Sequence, residues 1–251
     1  GLRPHVQVMS TVPDLLSFLK KFEWMIAVLA DPAACRRIAR ENVEDAKAEG
    51  IDYLELHFSP YFMATAHRID VAKVVEAVVE GVAEGSRATG VRVKLIGILS
   101  RTFGADACMK ELEALLTHRT HLVALDLAGD EKNYPAEMFI NHFKRGRDAG
   151  WAVTVHAGEA GGAPSVWSAL QQLGATRIGH CVRAVDDPKL MDYRAAHRIG
   201  IEANLTSNVQ TNTVPSLAAH PLRQFLDRGL LATINTDDPS ISGIDLHLGF
   251  V

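Results

Sequence analysis

Histidines and carboxylates in this chain recur at the ends of apolar runs, where side chains can converge on one space. Residues 151–155 are apolar or β-branched and break into His156, Ala157, Gly158 and Glu159. On a continuing strand His156 and Glu159 would face opposite sides. Gly158 permits a sharp bend that swings Glu159 over the strand end, toward whatever His156 faces. An imidazole and a carboxylate meeting there suit metal-assisted or acid–base chemistry, and the plain alternative is a core histidine before a strand-to-helix turn. His180 closes another such run, and Asn235-Thr236-Asp237-Asp238-Pro239 follows the last. If that strand stops at Asp237, the Asp238-Pro239 turn can aim the second carboxylate at a substrate; helix capping is the alternative.

Imidazoles and an aspartate from separate strand ends make a donor set that zinc accepts. His156, His180 and Asp237 are the candidates, and any of them could stand behind the ligands instead of among them. Bound zinc lowers the pKa of its water to about 7. Such chemistry also needs a carboxylic acid to pass protons, which fits Glu159.

The elements that must position these groups follow a regular alternation. Strand-like runs begin near Ile51, Val91, Leu122, Trp151, Arg177, Gly200 and Leu230. Helical spacing lies between them, for example Val71-Val74-Val75-Val78-Val82 and Val166-Leu170-Leu173. Gly50, Gly90, Gly150, Gly174, Gly200 and Gly229 stand where helices should close. Ahead of the alternation, residues 1–10 read as irregular. One helical pattern starts at Thr11 and carries Leu15, Leu16, Leu19, Phe22 and Ile26. A second starts at Asp31-Pro32, with Cys35, Ile38 and Ala46 on its buried face. No linker or charge block divides residues 1–251, so one domain of βα units with a parallel sheet is expected. A doubly wound sheet would announce a phosphate loop, and neither G-x-G-x-x-G nor G-x-x-x-x-G-K-[ST] follows any strand. Polar residues at most strand exits, among them His57, Asp126, Gly129, Thr206 and Asn208, favour a TIM-type (β/α) barrel, with seven strands of the usual eight countable.

Composition narrows the partners. The chain has 251 residues, is 47% hydrophobic, and carries a net charge of −4 without a Lys/Arg run, which argues against nucleic acid and anionic membrane. No apolar run approaches the roughly 18 residues of a membrane span, and no signal peptide opens the chain. Cys35, Cys108 and Cys181 are scattered and odd in number, so reduced thiols in a cytoplasmic protein are expected.

Taken in order, Val155-His156-Ala157-Gly158-Glu159, Ile178-Gly179-His180, Leu205-Thr206-Ser207-Asn208 and Asn235-Thr236-Asp237-Asp238-Pro239 resemble the motif set of the adenosine deaminases, bacterial members above all. Leu125-Asp126-Leu127-Ala128-Gly129-Asp130-Glu131, Leu56-His57-Phe58-Ser59-Pro60 and Ser100-Arg101-Thr102-Phe103-Gly104 extend the likeness over nearly the whole chain. The resemblance implies an amidohydrolase-type barrel that binds one zinc ion. It implies His156 and Asp237 as zinc ligands, Glu159 as the acid that protonates purine N1, and His180 as the group orienting the attacking water. Asp238 would accept a hydrogen bond from N7, and the Gly129 backbone N–H would meet N3. Asp126 would support Glu159 or the surrounding hydrogen-bond network. The implied reaction is hydrolytic deamination of adenosine, and of 2′-deoxyadenosine, to the inosine product plus ammonia in purine salvage.

Departures accompany the likeness. The family's first strand carries a His-x-His pair supplying two further ligands, and this sequence has no His-x-His. Its seven strands are expected to be the family's second to eighth, as though both ends were truncated, with residues 244–251 fitting poorly. His57 stands where the family usually has arginine, Cys181 where it has glycine, and Asn204 where a small residue or cysteine is usual. His67, His118, His121, His142, His197, His220 and His247 are expected at the surface or on helix faces. Two other readings stand beside the nucleoside deaminase: a catalytically silent barrel fragment that binds purine or a partner chain, and a deaminase of adenine or AMP.

Overall fold

Seven of the apolar runs become strands because each is bounded by a helix that cannot bury its own apolar face without a sheet to cover. The computed structural model describes residues 1–247; residues 248–251, the end of both the expected domain and the poorly fitting tail, lie outside the described residues. The strands are β1 (Tyr53–Phe58), β2 (Arg92–Ser100), β3 (Leu122–Ala128), β4 (Ala152–Ala157), β5 (Arg177–His180), β6 (Gly200–Ala203) and β7 (Leu231–Ile234). They pair in sequence order, every pair parallel.

Side-chain contacts across the sheet report its curl. Glu55 of β1 meets Arg177 of β5 at 2.6 Å, and His57 of β1 comes within 3.9 Å of Glu202 of β6. Strands four and five places apart touch only if the sheet rolls into a barrel wall. Among the described residues no ladder joins β7 to β1. The β3–β4 ladder is short, Ala124↔Ala152 and Leu125↔Val153. Beyond it the buried Arg101 guanidinium spans the splayed ends, donating to Leu127 O at 2.8 Å and His156 O at 2.6 Å.

Outside the sheet lies one main apolar core, to which helix Val71–Thr89 contributes Val74, Val75, Val78 and Val82. Helix Pro32–Ala48 packs on that helix so closely that a Cβ at Gly81 would collide with the Arg36 carbonyl oxygen. Its buried face is Cys35, Ala39, Val43 and Ala46; Ile38, expected there, is exposed, being one residue out of register with that stripe. Asp31 caps this helix by accepting from Ala34 N at 2.8 Å.

Two further expectations need correction. Residues 1–10 contain a short helix, Arg3–Val6, and the pattern from Thr11 divides into helices Leu15–Leu19 and Phe22–Ile26. Asp14 sets the first of these by capping Ser17 N, leaving Pro13 outside the helix. Gly50, Gly90, Gly150, Gly174 and Gly229 take the left-handed backbone of helix ends, but Gly200 begins β6, and Arg198 adopts positive φ in its place.

Candidate active site

At the exits of β4, β5 and β7 the backbone turns sharply, and each turn brings a polar side chain inward. Gly158 has φ 72°, a conformation open to glycine, and a Cβ there would lie 2.7 Å from Val166 Cγ2. His180, Cys181 and Asp237 adopt φ of 60°, 60° and 61° although none is glycine. Such strain costs about 1–3 kcal/mol per residue and concentrates at functional positions. Cys181 thus bears a strain that glycine would not.

These turns gather His156, His180 and Asp237, whose candidate ligand atoms all lie within 4.8 Å of one another. Glu159 joins them, its Oε2 3.5 Å from His180 Nε2, while Asp237 Oδ2 stands 4.0 Å from the same nitrogen. The bend at Gly158 therefore does bring Glu159 over the strand end. Asp238 is half-buried beside this group. Gly129 leaves β3 with φ 112°, and its neighbour Asp130 donates its N–H to Thr102 Oγ1 at 2.9 Å.

Behind the cluster, Asp126 is buried between two imidazoles. Its Oδ2 lies 2.9 Å from His156 Nδ1 and 3.1 Å from His57 Nδ1. Asp126 thus supports His156 through the local network, and the structure shows no bond from it to Glu159. Burial opposes its charge, yet the flanking His156 and His57 hold the carboxyl well below the usual carboxylate range. Burial likewise disfavours the His156 imidazolium, but Asp126 outweighs it and raises that group to about 10. With Nδ1 engaged by Asp126, His156 has Nε2 left for a ligand. Burial pushes the Glu159 carboxyl up, partly offset by His180 and reinforced by Asp237. Asp238 is pushed well up, by burial first and then by Asp237.

A divalent cation fits this donor set. Two imidazoles and a carboxylate converge, and the crowded carboxylates of Glu159, Asp237 and Asp238 lack a compensating lysine or arginine partner among the described ion pairs. Zinc takes such nitrogen and oxygen ligands.

Several residues that shape the site drew no role of their own from the sequence. Glu131 is buried, and its carboxylate accepts N–H bonds from Gly158 at 2.6 Å, Glu159 at 3.2 Å, Ala160 at 2.8 Å and Gly161 at 2.7 Å. Thr211 donates to Glu159 Oε1 at 3.2 Å. Asn204 and Asn208 surround His180. His220, expected at the surface or on a helix face, is instead buried outside any helix against Asn208, whereas His142 does lie on a helix, Ile140–Asp148, buried with Nε2 2.8 Å from Ala105 O. Glu131 closed a quoted motif without a role of its own, since its partners lie 27 or more positions away.

Comparison with known proteins gives concordant results. The sequence profile of the family described as adenosine deaminase matches residues 1–250. Adenosine deaminase of Edwardsiella ictaluri is 61% identical over 247 residues, 98% of this chain and 74% of that protein. Adenine deaminase from Arthrobacter aurescens superimposes with a TM-score of 0.91 at 28% identity, covering 99% of this chain and 75% of that one. A zinc-bound amidohydrolase from Burkholderia ambifaria gives a TM-score of 0.82 at 26% identity, over 90% of this chain and 64% of that one.

Proposed function

This chain belongs to the adenosine deaminase family, and we propose that it hydrolyses adenosine, and 2′-deoxyadenosine, to the corresponding inosine and ammonia. The observation that carries this reading is the convergence of His156, His180 and Asp237 within 4.8 Å, with Glu159 alongside, at the exits of separate parallel strands. Enzymes of this barrel type build their sites there.

His156, through Nε2, and Asp237 would hold a zinc ion, two of the three or more ligands that catalytic zinc sites keep. Zinc supplies Lewis-acid activation of water at neutral pH. Glu159, whose carboxyl burial pushes up toward the acid form, donates a proton to purine N1 and so makes C6 electrophilic. His180 orients the water that attacks C6. Purine N7 carries a lone pair and no proton, so Asp238 meets it as the donor, in the acid form toward which burial and then Asp237 push it. The Gly129 N–H donates to N3. Glu131 keeps the turn bearing Glu159 in place through its four backbone bonds.

Three buried free cysteines support a reducing, cytoplasmic setting, and among the described residues no helix is long and apolar enough to cross a membrane. The partner is a small purine nucleoside. The test is a panel of adenosine, 2′-deoxyadenosine, adenine and AMP offered to the zinc-loaded chain, with bound metal measured alongside. Adenosine turnover with zinc near one per chain supports the proposal. Adenine consumed far faster than adenosine would move the chain to the free-base deaminases, the activity named for its Arthrobacter aurescens structural neighbour. Substoichiometric zinc with no purine consumed would leave the silent-barrel reading.

A further inference from the structure

The backbone N–H of Leu222 donates to His220 Nδ1 at 3.1 Å. An imidazole nitrogen that accepts a hydrogen bond carries no proton, so neutral His220 holds its proton on Nε2. That nitrogen lies 3.1 Å from the Asn208 side-chain oxygen, which accepts from it. The other end of the amide, its NH2 group, is thereby directed at His180 Nδ1, 2.9 Å away. A donor facing Nδ1 leaves the His180 proton on Nε2. Every bond in the series takes its direction from one backbone N–H, whose polarity no side-chain flip can reverse. Asn204 Nδ2 stands 3.3 Å from the same Nδ1 and 3.4 Å from Nε2, so it favours neither nitrogen and the choice rests on Asn208.

We propose that Asn208 and His220 are positioning residues that lock His180 in its Nε2–H tautomer. The inference rests on the role of His180 given above and deepens it. The three side chains are buried, exposed by 2% for His180, 0% for Asn208 and 6% for His220, so water cannot substitute for a partner. Burial, and then the neighbouring His180, push His220 down to about 4, which agrees with a neutral ring. The outcome is specific at the mouth. His180 Nε2 faces Glu159 Oε2 at 3.5 Å and Asp237 Oδ2 at 4.0 Å. Carrying a proton, it donates toward them and has no lone pair to offer a metal. His180 is then a hydrogen-bond donor beside the zinc ligands, and His156 and Asp237 are the ligands among the three.

The experiment is histidine-selective ¹⁵N NMR on the full zinc-loaded chain, reading ring protonation from two-bond nitrogen–proton correlations, with His180→Gln assigning the signal. His180 and His220 should both appear as Nε2–H tautomers. Asn208→Asp replaces the NH2 with an acceptor that still satisfies His220 Nε2–H. In that variant the His180 signal should change to one bearing a proton on Nδ1. Its kcat for adenosine should fall by about 10²-fold or more, with zinc retained and KM within a few-fold, since a misdirected tautomer can cost about 10⁴ in a comparable triad. A parent His180 protonated on Nδ1, or a variant signal that does not change, overturns the tautomer lock. A changed signal with unaltered kcat overturns the positioning role. If Asn208→Asp does not fold, the parent spectrum alone decides the tautomer. A parent with the Nε2–H signal and no purine turnover counts against the deaminase reading while supporting the lock.

Discussion

Glu159 and Asp237 sit within reach of the same imidazole yet should fail in different ways when altered. Glu159→Gln preserves shape and removes the transferable proton, so kcat should fall by about 10²- to 10⁴-fold while metal analysis still finds zinc at the parent level. Asp237→Ala should lose zinc and turnover together, because a ligand has gone; full zinc occupancy in that variant would refute the ligand assignment. Asp126 acts one step further back. Asp126→Asn leaves His156 Nδ1 without its carboxylate, and zinc affinity, measured by competition with a chelator, should weaken by about 10- to 100-fold. The motif residues were legible as chemistry because histidine, glutamate and aspartate at strand ends are uncommon without cause. Glu131, Asn208 and His220 were not legible in that way, since each acts through partners brought close only by folding.

At the scale of elements, the turn at residues 158–161 is held by a side chain from a different βα unit. Removing the charge in Glu131→Gln puts a donor against backbone donors and should speed hydrogen exchange at Gly158, Ala160 and Gly161, while amides inside β4 keep their protection. Equal exchange in both proteins would show that the turn holds itself. All seven strands begin within two residues of the runs read from periodicity, because buried parallel strands are short apolar runs between helix caps. The errors in helix number fell in the N-terminal segment. There Asp14 offered a cap inside a continuous apolar pattern, and a local capping bond competed with periodicity and won.

Across the whole molecule, burial of ionisable groups ties stability to pH. Glu111 is buried and raised from 4.5 to about 7, burial outweighing the bonds it accepts from Ser100 N, Ser59 Oγ and Tyr61 N. Its folded-state pKa lies above the unfolded value, so the native protein binds more protons between these pH values. Its contribution is fully present below about pH 4.5 and is lost as pH rises through 7, a change of about 3 kcal/mol. Glu111→Gln should therefore flatten the stability-against-pH curve over that window, as measured by denaturant midpoints; parallel curves would show that Glu111 titrates normally. The order of βα units, the expectation of a barrel and the list of candidate reactive residues follow from the sequence alone, because apolar period, cap chemistry and residue type are local properties. Which strand ends meet follows only from the tertiary structure. The curl of the sheet decided that His57 reaches Glu202 and that Asp126 serves two imidazoles, and the path of the chain after β6 decided that His220 meets Asn208. Distances between strands depend on the closing of the wall, and no single segment encodes that.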